Sequence, residues 1–188
     1  MESNTNTHVC NAEHYVYLDN FVRKFIHNPR KMFHKYIKVG DTVMDIGCGP
    51  GTFTIDLAKM VTKQGRVIGI DLQEGMIKHA TQKARRNGVL DIINFHQCQS
   101  NKIGIDIKAD FILTFFMVHE TPDPVGFINE VCTLINPGGY YYLAEPRFHV
   151  SEKQYEEINK QCIKNGLTLI KKSGVISRTS VFQRIISK

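Results

Sequence analysis

The stretch VGDTVMDIGCGPGTFTIDLAK, residues 39–59, decides how the chain is read. An apolar run broken only by Asp45 leads into three glycines at alternate positions, Gly47, Gly49 and Gly51. A helical pattern follows at once, with Thr52 as a possible cap. Glycines placed where a strand hands over to a helix indicate that something approaches the backbone closely there.

Working outward, the rhythm is strand, helix, strand, helix. TVMDIG is a buried strand and TFTIDLAKMV a helix; GRVIGID is a second strand and EGMIKHATQKARRNG a helix ended by Gly88. IINFHQC gives a third strand, and ADFILTFF a fourth, apolar on both faces as a central parallel strand should be. The helix VGFINEVCTLI, the turn NPGG and the strand YYYLAE come next, and then a helix capped by Ser151. LTLIKKSG and SVFQRIIS close the chain as a hairpin. This alternation predicts an α/β fold, doubly wound around a mostly parallel sheet. Before it, residues 13–38 read as amphipathic helix interrupted at Pro29, where Asn28 caps a second helix; Arg23, Lys24, Arg30, Lys31 and Lys35 form its solvated face. The expected organisation is a helical lid over residues 1–38 and a single catalytic domain over residues 39–188.

Bulk properties limit the function classes. With 188 residues, 42% hydrophobic and 22% charged, the chain suits one globular domain. No apolar run nears the roughly 20 residues that span a membrane, and the polar N-terminus has no signal-peptide core, so a cytoplasmic location is expected. The five cysteines are scattered without a C-x-x-C pair, which fits reduced thiols rather than disulfides or a zinc ribbon. A net charge of +6 permits an anionic partner without requiring one.

In open parallel sheets, ligands sit beyond the carboxyl ends of the strands. A dinucleotide would want G-x-G-x-x-G; here the spacing is G-x-G-x-G, and Asp45 precedes it. A carboxylate there would repel a pyrophosphate but suits a ligand with a cationic end. S-adenosylmethionine has no phosphate, and carries a sulfonium and an α-ammonium. Its amino-acid end can lie across residues 47–51, including Cys48, with Asp45 attracting the ammonium directly or through water. Asp71 ends the second strand 20 residues after Gly51, placed to accept hydrogen bonds from both ribose hydroxyls, and Leu72 can pack against adenine.

VMDIGCGPGTF, VIGIDLQEGMI, DFILTFFMVHETPDP and LINPGGYYYLAE together resemble the successive motifs of class I S-adenosylmethionine-dependent methyltransferases, over about residues 37–146 and in the family's order. The resemblance is to the small-molecule branch, which includes quinone C-methyltransferases and arsenite methyltransferases. It implies a seven-stranded Rossmann-like sheet with its last strand antiparallel and helices on both faces. It also assigns cofactor roles to Asp45, Gly47, Gly49, Gly51, Asp71 and Leu72. The family often has an acid after the third strand, against the adenine amino group. Here Gln99 takes that place, and its amide oxygen can accept the same bond. The cysteines match no arsenite pattern.

On the acceptor side, Phe115, Phe116 and Met117 leave the fourth strand beside the expected methyl position, as pocket walls or as core, and Phe115 is also counted among the expected cofactor-binding residues. The family often has a histidine pair before PDP; here it is His119–Glu120. His119 is a candidate general base, or else a hydrogen-bonding group for the loop or the cofactor. Glu145, Arg147 and His149 follow the fifth strand and open onto the same rim, and Glu120, Glu145 and His149 join His119 as candidate catalytic residues. Two histidines and two glutamates could also hold a metal, although the expected cofactor set contains none. A small-molecule acceptor and a monomer or homodimer are expected. An RNA methyltransferase is an alternative weakened by the missing amino-methylation motif after the fourth strand. A non-catalytic cofactor-binding module is another; it would need no acids and bases on the acceptor side.

Overall fold

The computed structural model describes residues 29–174 and 177–186. Over them the chain runs α1 (Pro29–Phe33), β1 (Thr42–Ile46), α2 (Thr52–Val61), β2 (Arg66–Asp71), α3 (Glu74–Arg86), β3 (Ile93–Gln97) and β4 (Ala109–Phe115). It continues through α4 (Pro124–Thr133), β5 (Ile135–Pro146), α5 (Glu152–Lys164), β6 (Thr168–Ser173) and β7 (Ser177–Gln183). The strands form one seven-stranded sheet in the order β3-β2-β1-β4-β5-β7-β6.

β1 is an interior strand with both faces apolar: Val43, Met44 and Ile46 are buried, on opposite sides of the pleat. It pairs in parallel with β2 and β4. The winding reverses between β1 and β4, which creates the crevice where such sheets bind ligands. β7 inserts antiparallel between β5 and β6, so the C-terminal hairpin and the antiparallel last strand are both present. β6 is an exposed edge carrying Lys171 and Lys172, charges that discourage pairing with another chain.

Two cores cover the two faces. One joins Met44, Ile112, Tyr141, Ile128 and Tyr155 beneath α4 and α5. The other joins Phe33, Val43, Leu57, Ala58 and Phe111 beneath α1 and α2. Helix ends follow local chemistry: Ser151 forms a capping box with Gln154, and Gly88 turns the chain after α3 at a φ of 67°.

Several expectations are corrected. Thr52 is the first residue of α2 rather than its cap; the cap position belongs to Gly51, whose φ is 80°. NPGG is not a free turn. β5 already starts at Ile135 and passes through those residues as an irregularity beside Ala109–Phe111, with Asn136 bonded to Asp110. Helix after Pro29 ends at Phe33, and the chain turns from there. Residues 29–38 also contribute to the core: Phe33 is fully buried, with its ring 5.0–5.7 Å from Tyr142, Phe111 and Phe53. Arg30, Lys31 and Lys35 are exposed, as the amphipathic reading requires. Asn28, Arg23, Lys24, Cys10 and the rest of the expected lid lie outside the described residues.

Candidate functional site

The carboxyl ends of the parallel strands surround a cavity of about 1020 Å³. Single-ligand pockets run to roughly 300–1,000 Å³, so there is room for a cofactor and a second small molecule together. Ten of the thirteen expected site residues line it: Gly47, Cys48, Gly49, Asp71, Leu72, Gln99, Phe115, His119, Glu120 and His149. Asp45, Gly51 and Glu145 stand one layer behind the wall.

The glycine loop answers the question posed by its sequence. A Cβ on Gly47 would lie 2.6 Å from the Met117 side chain, and one on Gly51 would lie 3.0 Å from Ala80 of α3. These two glycines let the loop touch β4's exit on one side and α3 on the other. At Gly49, on the cavity wall, a Cβ would meet nothing within 4 Å. That glycine keeps the approach to the backbone open, which is what a ligand lying across the loop needs.

Asp71 locks the loop to β2. One carboxylate oxygen accepts from Gly49 N–H at 2.8 Å and the other from Gln73 N–H at 2.9 Å. Burial raises its pKa while these bonds, and one to Leu72, pull against the rise. Each oxygen keeps a second lone pair, so hydrogen bonding to a ribose adds to the lock rather than competing with it. Asp45 is 2% exposed and accepts from Thr54 Oγ1 at 2.5 Å, a partner on α2 that the sequence did not single out. Burial, with the charge of Asp71 adding to it, pushes its carboxyl up to about 7. Asp45 therefore stands behind the loop and does not line the cavity. Cys48 is buried among these acids, and burial drives its thiol well above the usual range, which makes it inert.

The wall beside Asp71 comes from the 98–104 segment, which Cys98 N–H joins to Asp71 O at 3.0 Å. Glu130 of α4 clamps it, accepting from Ile103 N–H at 2.9 Å and Gly104 N–H at 3.0 Å, while His96 bonds Ile103 O. Gln99 and Lys102 exchange backbone hydrogen bonds at the tip. Nothing in the sequence near Glu130 identifies this role; only the packing of α4 beneath the segment reveals it.

At the exit of β4, Phe116 has a φ of 59°, a left-handed backbone that costs a bulky residue roughly 1–3 kcal/mol. Its N–H bonds Ala144 O at 2.8 Å, and its ring lies 4.2 Å from that of Phe115, which lies 4.7 Å from that of Phe53. His119 follows on a 3-10 turn, Val118–Glu120. Its Nδ1 is 2.5 Å from Glu145 Oε2. Glu145 is fully buried, and its other oxygen accepts from Val118 N–H at 3.0 Å. Burial alone would lower the His119 pKa; the hydrogen bond and charge of Glu145 outweigh it, and the net shift is upward. Glu120 is raised by burial and by Glu145 and Asp71, against the opposing charge of His119. The His149 ring is 5.8 Å from that of His119, at an exposed position on the rim. Arg147 turns away to donate to Gly174 O. Among the described residues, no three His, Cys, Asp or Glu side chains form a group that could hold a metal ion.

Over residues 37–183 the chain matches the family described as "Methyltransferase domain". The chain belongs to the class I S-adenosylmethionine-dependent methyltransferases. S-adenosylmethionine is accordingly its cofactor, and the loop around Gly49, the Asp71 carboxylate and the Leu72 side chain fit it. Among curated relatives of this methyltransferase, a demethylmenaquinone methyltransferase of Lactobacillus johnsonii is 32% identical over 132 residues, 68% of this chain and 54% of that protein. An uncharacterized methyltransferase of Schizosaccharomyces pombe is 31% identical over 56% of this chain and 40% of its own. The chain thus spans about half the length of the curated relatives it matches. A methyltransferase structure from Aquifex aeolicus superposes with a TM-score of 0.79 at 24% identity, covering 94% of this chain and 100% of that one. The N-methyltransferase NodS of Bradyrhizobium japonicum, solved with S-adenosylhomocysteine, gives 0.67 at 18% over 82% of each chain. At these identities the likeness is one of fold. Among the described residues, no helix is long and apolar enough to cross a membrane.

Proposed function

We propose that this methyltransferase moves a methyl group to a small-molecule acceptor held between His119 and the aromatic residues at the end of β4. The observation that carries the reading is the His119–Glu145 pair, set on the wall of the same cavity as the glycine loop and Asp71. The bound cofactor supplies an electrophilic methyl on sulfonium. Asp71, Leu72 and the loop orient it, and Gln99 stands on the adenine side. The buried Glu145 carboxylate fixes the His119 ring through Nδ1, which leaves Nε2 as the nitrogen that can receive an acceptor's proton. Phe115, Phe116 and Met117 keep water from the reacting atoms, and Glu120 and His149 border the approach. The relatives named demethylmenaquinone methyltransferases support a small acceptor, as does a cavity with room for little beyond two small molecules.

The test is titration calorimetry with S-adenosylhomocysteine and with NAD, followed by release of S-adenosylhomocysteine in the presence of pooled metabolites. Binding of the first ligand and not the second is expected. Tight NAD binding would refute the cofactor assignment, and binding without turnover of any pooled acceptor would favour a non-catalytic module.

A further inference from the structure

The acceptor wall is more specific than a hydrophobic lining requires. Phe53, Phe115 and Phe116 form a continuous aromatic series, with centroids 4.7 and 4.2 Å apart. Phe53 is buried, whereas Phe115 and Phe116 are part-exposed on the cavity. Phe116 holds a left-handed backbone, and that position puts its ring on the wall. A residue kept in such a conformation marks a surface that matters for function. Flat π faces are matched by another flat ring, through offset or edge contacts.

The base beside this wall narrows the acceptor further. An imidazole takes protons from groups whose acidity is not far from its own. An aromatic hydroxyl titrates near about 10, roughly three units above an ordinary histidine. An aliphatic hydroxyl is far less acidic than an aromatic one and gives its proton to an imidazole less readily. Glu145 moves His119 upward, toward the phenolic range. An alkylamine has phenol-like acidity, but it arrives as a cation and meets the cofactor's sulfonium as a like charge. A hydroxyl that gives up its proton instead becomes the sulfonium's counter-charge.

We infer that the acceptor is a planar aromatic hydroxyl compound, its ring against Phe115 and Phe116 and its hydroxyl at His119 Nε2. The inference rests on the methyltransferase reading above and goes beyond it by naming the acceptor class. In the step, the hydroxyl proton passes to Nε2 and the oxygen–methyl bond forms. The methyl–sulfur bond breaks with its electron pair on sulfur, leaving an aryl methyl ether, neutral S-adenosylhomocysteine and an imidazolium. Glu145 stabilises that imidazolium until it returns the proton to water.

Three probes of similar size separate the possibilities: 2-naphthol, its saturated counterpart decahydro-2-naphthol, and 2-(aminomethyl)naphthalene. Release of S-adenosylhomocysteine is measured with each. Binding of 2-naphthol to the enzyme–S-adenosylhomocysteine complex is followed separately by its fluorescence. We expect 2-naphthol to exceed both other probes at least tenfold in kcat/KM. Phe116→Ala should weaken 2-naphthol binding at least tenfold while S-adenosylhomocysteine affinity stays the same. Phe116→Leu, which keeps bulk without the π face and guards against a folding defect, should weaken it severalfold. Equal turnover of the saturated alcohol, preference for the amine, or no binding of 2-naphthol by an enzyme that binds S-adenosylhomocysteine would each overturn the aromatic-hydroxyl inference and leave the methyltransferase reading standing. Failure to bind S-adenosylhomocysteine would overturn both.

Discussion

The two halves of the cavity are built in opposite ways. The glycine-loop half, which we propose holds the cofactor, is local: Asp45, Gly47, Gly49 and Gly51 lie within seven consecutive residues, and Asp71 closes the loop through a single 2.8 Å bond to Gly49 N–H. The half around His119, which we propose receives the acceptor, is assembled from distant pieces. His119 and Glu145 are 26 residues apart and meet because β4 and β5 end side by side. Glu130 reaches the 98–104 segment across a similar distance. A half made from consecutive backbone keeps its geometry wherever the strand–turn–helix unit forms. A half made from side chains on separate strands can be retuned one residue at a time.

The strongest test of this contrast is on the acceptor side. His119→Asn should lower turnover by roughly 10²–10⁴-fold with cofactor affinity unchanged. In the unaltered enzyme, turnover should rise with pH through a midpoint above about 6.5, because the raised His119 must be neutral to accept a proton. A loss of S-adenosylhomocysteine binding in His119→Asn would move this residue into the cofactor half.

Next in size is Gly47→Ala. The new Cβ would sit 2.6 Å from Met117 on a backbone with φ of 75°, so at least about 2 kcal/mol of stability should be lost, read by thermal melting. The two halves touch at this point, so Met117→Ala in the same chain should restore part of it. No restoration would mean the left-handed backbone alone carries the cost.

Asp71→Ala removes both the loop lock and the acceptor for the ribose. Charge-assisted bonds run at roughly 1.5–3 kcal/mol, so calorimetry should show at least a tenfold loss of S-adenosylhomocysteine affinity. Unchanged affinity would break the claim that the cofactor half depends on this strand end.

Glu130→Gln leaves one of two backbone N–H groups without its acceptor. The expected effect is severalfold: a higher KM for S-adenosylmethionine with kcat nearly unchanged. A fall in kcat instead would tie the clamp to the acceptor half.

The smallest effect is the pH response of Asp45. Its folded carboxyl, pushed up to about 7, lies above its unfolded value of about 4, so its contribution to stability is full below pH 4 and is lost as pH rises through 7. Asp45→Asn should therefore flatten the decline in melting temperature between pH 5 and 8. It should also weaken cofactor binding more at pH 8 than at pH 6, since only the ionised carboxylate attracts an ammonium. An unchanged pH profile would leave Asp45 a purely structural partner of Thr54.

How much of this was legible follows the same division. The strand–glycine–helix unit, the place of Asp71 at the carboxyl end of β2, and the capping of α5 by Ser151 were all readable, because each depends on neighbours in the chain. Thr52 was misread as a cap because Gly51, in a left-handed conformation, occupies that position. Asp45 was read as attracting an ammonium directly or through water; its bond to Thr54 was not read, since nothing in the order of residues shows which way a buried side chain turns. His119 and Glu145 were both singled out, but not as a bonded pair.

By itself, the amino-acid sequence determined the α/β order of elements, the parallel sheet and the nature of the cofactor loop. These follow from periodicity and from backbone freedom at particular glycines, which are properties of short stretches. The tertiary structure decided which carboxylate orients His119, which glutamate clamps the 98–104 segment, and why Gly47 and Gly51 admit no side chain. Those depend on strand order and helix packing, which bring together residues that the chain keeps far apart.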